Sequence, residues 1–181
     1  MKFKIMMIPE SKLFIVKSGV TIGIIIGILD SVIHISNFES YKVLNIFLFI
    51  LFFASVYWSV IYLRDKISDK IISYGTSFRQ ILLTGSIAAF FISIIRFLFL
   101  KFAINVDLSS ILSQTKDTML SNPELYTEAE INNNLSFIEF SYNPIISSIL
   151  YFTYYLTFVI IFAIIASFFI KRIDRNISLV N

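Results

Sequence analysis

The chain has 181 residues, of which 57% are apolar, 17% aromatic and only 15% charged, and its net charge is +3. A soluble domain has about 45–50% apolar and about 25% charged residues, so this composition excludes an ordinary soluble globular protein. The sequence has no cysteine and one histidine, which excludes disulfides and a cysteine nucleophile and makes a zinc site implausible. We therefore expect a membrane protein that holds no metal and no cofactor.

Four apolar stretches are long enough to cross a bilayer, which takes about 20 apolar residues in a helix. They are residues 13–36, 43–63, 81–104 and 145–170. Stretches of this length exceed a β-strand, and in hydrocarbon a helix is what satisfies the backbone hydrogen bonds within one segment. The first stretch is also too long for a removable signal peptide. The sequence predicts an all-α fold, an integral membrane four-helix bundle formed by a single domain over residues 1–181.

Basic residues are distributed unequally between the two sides of this bundle. Eleven lysines and arginines lie near the N-terminus, in the loop between the second and third stretches or in the C-terminal tail, and three lie on the opposite side. The positive-inside rule places both termini and the middle loop in the cytoplasm, and the protein in the bacterial cytoplasmic (inner) membrane. The positive net charge follows from this topology, so we expect contact with the lipid bilayer and its anionic lipids at the cytoplasmic face, and no nucleic acid partner.

The external segment, residues 105–144, is the part with soluble character. The apolar positions within residues 108–119 lie on one helical face, which predicts a short amphipathic helix on the membrane or on the bundle. Pro123 prevents one continuous helix, and Asn143-Pro144 is typical of a helix start. Two capping-box spacings predict further starts, Ser121 with Glu124 and Thr127 with Glu130. The segment is either a solvated connector or a docking surface for a periplasmic partner.

The stretch "YLRDKISDKIISYGTSFRQILLTGSIAA" resembles the hallmark of the family known as domain of unknown function 4199. The residues that carry this resemblance are Arg64, Asp65, Ile72, Ser73, Tyr74, Gly75 and Gly85. The opening "KSGVTIGIIIG" and the helix "QTKDTML" are also similar, so the resemblance covers nearly the whole chain. The resemblance implies a small four-helix membrane protein of a kind typical of Bacteroidota, and it implies no activity.

The family-like loop also has a physical interpretation. We expect Gly75 to adopt a positive φ and to turn the chain after the charged residues that begin at Arg64 and Asp65. The loop is then either a solvated turn anchored in anionic headgroups or a cytoplasmic docking loop.

Small residues recur every four positions on two of the predicted helices. They are Gly19, Gly23 and Gly27 on the first, and Gly85, Ala89 and Ser93 on the third. Such stripes let helix backbones approach closely. A shift of 66 positions superimposes the stripes and also superimposes Asp30 on Arg96. Because an isolated charge in the bilayer is costly, we expect Asp30 and Arg96 to pair between neighbouring helices. Coincidence, or a homodimer that uses the glycine stripe, is the alternative.

Other polar side chains belong to the same half of the bilayer as this pair. His34 is one turn from Asp30, and Asn45, Tyr151, Tyr154 and Tyr155 are at a similar depth. The cluster is either a structural ion pair that fixes helix register or a proton or ion path in which His34 titrates. In a third interpretation Arg96 extends outward and leaves Asp30 protonated.

The sequence carries no nucleophile elbow, P-loop or dinucleotide fingerprint, so we do not expect an enzyme. The leading hypothesis is a non-enzymatic accessory or scaffold component with a membrane or periplasmic protein partner, and a homo-oligomer is compatible with it. The alternative is a small transporter or channel-like protein that uses the polar cluster around Asp30, His34 and Arg96.

Overall fold

The computed structural model describes residues 9–35, 41–67, 72–102, 108–122 and 124–171. The described chain is helical, which confirms the predicted all-α bundle. Its six helices are α1 (Pro9–Ile35), α2 (Tyr41–Ile67), α3 (Tyr74–Phe102), α4 (Leu108–Leu120), α5 (Glu128–Tyr142) and α6 (Pro144–Ile170). Of these, α1, α2, α3 and α6 are long and apolar enough to cross a membrane. The short helices α4 and α5 lie between the third and fourth spans, as predicted.

The second and third spans extend further than the apolar stretches that predict them. Arg64 and Asp65 lie in the last turn of α2, and Tyr74 and Gly75 lie in the first turn of α3. The expected turn at Gly75 is therefore wrong, because this residue is helical and its φ is not positive. Hydropathy marks where a helix leaves the hydrocarbon, whereas backbone hydrogen bonding continues into the charged residues that follow.

One of the two predicted capping boxes forms, and it begins α5. The Thr127 backbone N–H and hydroxyl donate to Glu130 at 2.8 and 2.9 Å, and the Glu130 N–H donates back to the Thr127 hydroxyl. These hydrogen bonds hold the pKa of Glu130 below its usual value. The predicted box at Ser121 is wrong, because the Ser121 hydroxyl donates to the Thr118 carbonyl and so closes α4.

The start of α6 and the face of α4 agree with the sequence pattern. The Asn143 side chain accepts the N–H groups of Ile145 and Ile146, and Pro144 occupies the first turn. On α4, the predicted apolar positions are half-buried, whereas most of the remaining positions are exposed. These positions are Leu108, Ile111, Leu112 and Met119.

The helix α1 packs tightly along α3. A Cβ atom added at Gly23 would lie 2.6 Å from the Ala88 carbonyl oxygen, and one at Gly19 would lie 2.9 Å from the Thr84 carbonyl oxygen. The residue numbers of the contacting positions rise together on the two helices, so α1 and α3 run parallel. Glycine is required here because the backbone of α3 occupies the space that a side chain would take.

The helix α3 lies at the centre of the bundle, with α6 on the side away from α1. Gly85 packs against the Val159 side chain and Arg96 lies against the Tyr151 ring, so α3 and α6 are antiparallel. The stripe of small residues on α3 therefore contacts α6 at Gly85, and at this position it does not face the glycines of α1. The other two residues of that stripe, Ala89 and Ser93, are also buried.

The helix α2 closes the bundle beside α1 and α6, and it meets α6 through aromatic rings. Phe49 packs edge-on against Phe158 with ring centroids 5.0 Å apart, and Phe53 contacts Phe162 at 4.7 Å. Inside the bundle the core is apolar and fully enclosed, for example at Phe52 and Val159, whereas large apolar side chains cover the outside. Such an exposed apolar surface is expected of helices that face lipid.

The glycine contact between α1 and α3 generates a stability prediction. We expect Gly23→Ala to lower the free energy of unfolding by about 1–3 kcal/mol, because the new methyl group must push the backbones apart. The matched control is Gly75→Ala, where no atom of the described chain outside the helix's own backbone and the adjacent residues lies within 4 Å of the added Cβ. That variant should be neutral or slightly stabilising, because alanine favours the helix. Unfolding by sodium dodecyl sulfate, followed by circular dichroism, measures both, and equal stabilities would contradict the close contact.

Candidate functional site

Two opposite charges are buried at one end of the bundle, here named the Asp30 end. Asp30 comes from α1 and Arg96 from α3, and they are 4% and 8% exposed. Arg96 Nη1 lies 3.8 Å from Asp30 Oδ2. This separation is an ion pair but exceeds the length of a charge-assisted hydrogen bond, which is about 2.7–2.9 Å. The two side chains that the sequence predicts to be neighbours are thus brought together by the fold.

The helix α6 supplies a third member of this group, Tyr151. The Arg96 guanidinium carbon lies 4.8 Å from the centroid of the Tyr151 ring, a cation–π arrangement. The Tyr151 side chain also lies beside the Asp30 carboxylate, close enough to interact with it electrostatically. Tyr151 therefore contacts both charges at once, and the three residues link α1, α3 and α6.

The position of the pair follows from the glycine contact. Asp30 comes three residues after Gly27, which packs against Ile92 and Ile95 of α3. Arg96 is the next residue along α3, so the close approach at Gly27 brings the two charges to one level. Without that approach the side chains would be held further apart, since larger residues at a helix contact increase the distance between axes.

The Arg96 side chain uses only part of its hydrogen-bonding capacity. Its Nε and Nη1 atoms are buried and have no hydrogen-bond partner among the residues that the structure describes. A buried donor without a partner costs about 1–3 kcal/mol, and more when it is charged. The Asp30 end therefore contains hydrogen-bond donors of Arg96 that no described protein group accepts.

A cavity of about 700 Å³ reaches the Asp30 carboxylate from between α2 and α6. Of the side chains predicted from sequence, Asn45, Tyr151, Tyr154 and Tyr155 line it together with Asp30. Arg96 is not part of the lining. The His34 backbone belongs to α1, but its side chain lies outside the described part of the chain.

Sequence reasoning did not find several of the residues that line this cavity. Phe49 and Phe158 contribute rings, and Thr153 and Thr157 contribute hydroxyls. The two phenylalanines belong to uniformly apolar stretches and carry no signal there. The two threonines donate to carbonyls one turn back along α6, an arrangement common to threonine in any apolar helix.

The family-like residues gather at the opposite end of the bundle, here named the Arg64 end. Arg64 is 7% exposed, and its Nη1 donates to the carbonyl of Ile170, the last residue of α6, at 3.2 Å. Its Nε and Nη2 donate to the two carboxylate oxygens of Asp65. The Tyr74 hydroxyl donates to the Ile164 carbonyl at 3.2 Å. Arg64 thus satisfies a terminal carbonyl and places a positive charge at a helix C-terminus.

The remaining family-like residue, Ser73, lies immediately before α3. Its hydroxyl accepts the Thr76 N–H, and its carbonyl accepts the Ser77 N–H. This is an N-cap arrangement, which starts the helix that carries Arg96. The hallmark stretch therefore ends α2, starts α3 and fastens α6.

The fold and these contacts define a helical membrane protein of four spans whose polar groups are concentrated at the two ends of the bundle. The chain belongs to the family described as "Protein of unknown function (DUF4199)", whose model matches residues 17–172. No curated protein and no solved structure matches the chain.

The buried pair generates a double-mutant prediction. Asp30→Asn leaves a buried guanidinium without its counter-charge, and we expect a loss of about 3 kcal/mol in unfolding free energy. Arg96→Gln should cost a similar amount. The double variant should recover about 1–3 kcal/mol, because neither charge is then left alone.

Unfolding titrations in detergent measure all three variants. The control is Lys101→Gln, which removes an exposed charge from the same helix and should change stability by no more than about 0.5 kcal/mol. Additive losses in the double variant would show that Asp30 and Arg96 do not interact.

Proposed function

We propose that the protein is a non-enzymatic accessory or scaffold component of the bacterial cytoplasmic membrane. The observation that supports this most directly is the apolar layer between the two polar ends. Thr84 and Arg96 are about 18 Å apart along α3. Between them the buried residues of α3 are apolar except Ser93, whose hydroxyl donates to its own helix at the Phe90 carbonyl.

The neighbouring helices complete this layer and support a closed bundle. Phe52 and Val56 of α2 and Val159 of α6 are 0% exposed, and Ile26 of α1 is 2% exposed. A layer of this thickness, in which Ser93 is the one polar side chain among the buried α3 residues and donates to its own helix, opposes the passage of ions, because each ion would lose its hydration there. Packing and contact with partners are functions that a closed bundle can perform.

The proposed orientation places both termini and the Arg64 end in the cytoplasm. The excess of lysine and arginine on that side supports it. In this orientation α4 and α5 lie in the periplasm, where the acidic side chains Glu124, Glu128 and Glu139 are exposed. We propose that this segment contacts a protein partner, and that the basic residues on the other side contact anionic lipids.

A second candidate function is a small transporter or channel-like component. The cavity between α2 and α6 favours it, because that cavity extends from the exposed surface to the buried Asp30 carboxylate. Transport would further require a conformation in which the apolar layer opens.

An ion-flux measurement distinguishes the two candidates. Purified protein in vesicles that contain a pH-sensitive dye should show the same proton leak as protein-free vesicles, because the apolar layer is closed. An added ionophore controls for dye response. A flux above the protein-free level that Asp30→Asn abolishes would overturn the accessory role and support transport.

Orientation can be tested cleanly because the sequence has no cysteine. We expect Ser113→Cys on α4 to react with a membrane-impermeant maleimide in intact spheroplasts. Lys66→Cys at the end of α2 should react only after the membrane is opened. Both positions are exposed, so they form a matched pair. The reverse pattern would invert the proposed topology.

A further inference from the structure

The cavity between α2 and α6 has one charged group and many aromatic rings. Among the described residues that line the cavity, Asp30 is the one with an acidic or basic side chain that carries a formal charge. Five rings accompany it, those of Phe49, Tyr151, Tyr154, Tyr155 and Phe158. A carboxylate and several aromatic rings that line one cavity are a combination suited to binding organic cations.

The acidic side chain of Asp30 lines the cavity, whereas the nearby basic side chain of Arg96 does not. Arg96 lies 3.8 Å from one Asp30 oxygen and does not line the cavity. A carboxylate has two oxygens and about four acceptor positions. Among the side chains that the structure describes, the Arg96 guanidinium at 3.8 Å and the neighbouring Tyr151 leave acceptor positions on Asp30 for a further donor.

The rings form a continuous wall beside the carboxylate. Phe49 lies 5.7 Å from Tyr154 and 5.0 Å from Phe158 between ring centroids, and Tyr154 lies 4.9 Å from Phe158. These contacts hold the rings in fixed orientations, so a cation beside them meets a preorganised surface. Preorganisation reduces the entropy that binding must overcome.

The residues that line the cavity differ in exposure, and this difference indicates where an apolar tail would lie. Asp30 is 4% exposed at the inner end, whereas Ile46 is 62% exposed at the rim. Leu150 and Tyr154 at the rim are also about half-exposed. Because α2 and α6 are membrane-spanning helices, this rim faces the acyl chains of the bilayer.

We propose that this cavity binds an amphipathic organic cation, with its ammonium group against Asp30 and the aromatic rings and its apolar tail between α2 and α6. An anionic headgroup would instead meet the Asp30 carboxylate, since Arg96 does not line the cavity. A neutral amphiphile would gain burial of its tail but no interaction at the inner end. The proposal rests on the cavity and is independent of the accessory role.

The probe for this site is tritiated dodecyltrimethylammonium, which carries a quaternary ammonium on a single apolar chain. Binding to the purified full chain is measured by scintillation proximity in dodecyl maltoside micelles, where the detergent itself is a neutral competitor with the same tail. We expect saturable binding that unlabelled dodecyltrimethylammonium displaces and dodecyl phosphate does not.

Three variants and a control test the inner end and the rings. Asp30→Asn, and the charge-balanced double variant Asp30→Asn/Arg96→Gln, should weaken binding at least about tenfold. Tyr154→Leu should weaken it about two- to fivefold, the effect of one cation–π contact. The control is Tyr62→Leu, because Tyr62 is similarly exposed at the other end of α2 and does not line the cavity.

Each outcome decides the proposal. Loss of binding in the Asp30 and Tyr154 variants but not in the Tyr62 variant supports it. Displacement by dodecyl phosphate, or wild-type affinity in the charge-balanced variant, overturns it. If the Asp30 variants do not fold, the competition series on the wild-type chain and the Tyr154→Leu variant still give a decision, and neither depends on the flux result.

Discussion

The contact between the backbones of α1 and α3 is the constraint on which the rest of the bundle depends. Without a hydrophobic force between helices inside a bilayer, close packing is what holds them together. Gly19 and Gly23 let α3 approach until its carbonyl groups occupy the place of a side chain. That approach sets a parallel register in which Asp30 and Arg96 meet. The ion pair is therefore a consequence of the packing, and it penalises any slip of one helix along the other.

The cavity has a physical origin in the unequal spacing of the helices. Where α1 meets α3 the contact residues are glycines, whereas α2 meets α6 through rings such as those of Phe49, Phe53 and Phe162. Large side chains hold two helices apart, and the axes of α2 and α6 cannot close to the distance that glycine permits. A cleft remains between α2 and α6. It ends at Asp30 because Tyr151 brings α6 to the charged pair.

Much of this arrangement could be predicted from sequence, and the failures have clear reasons. Long apolar stretches identify spans because the bilayer imposes one length and one backbone solution. The spacing of small residues and charges placed Asp30 opposite Arg96, since parallel helices preserve sequence offset. Pattern alone did not show that Gly85 contacts α6, because a small residue permits a neighbour without specifying it. The helical state of Gly75 was missed because hydropathy does not report backbone hydrogen bonds. Part of the cavity lining was missed, because Phe49 looks like any other lipid-facing ring.

Arg64 and Arg96 are both buried, but their guanidinium groups differ in how completely they are hydrogen-bonded within the described chain. Arg64 and Arg96 are 7% and 8% exposed, so both have lost most of their hydration. At Arg64 each guanidinium nitrogen donates a hydrogen bond, to Asp65 or to the end of α6. At Arg96 neither Nε nor Nη1 has a partner within the described chain, and its carboxylate stands 3.8 Å away. A group that only fastens helices gains from complete hydrogen bonding, as Arg64 does. At the Asp30 end the carboxylate keeps acceptor positions that Arg96, 3.8 Å away, does not fill, and the proposed cation would use these positions rather than the guanidinium donors.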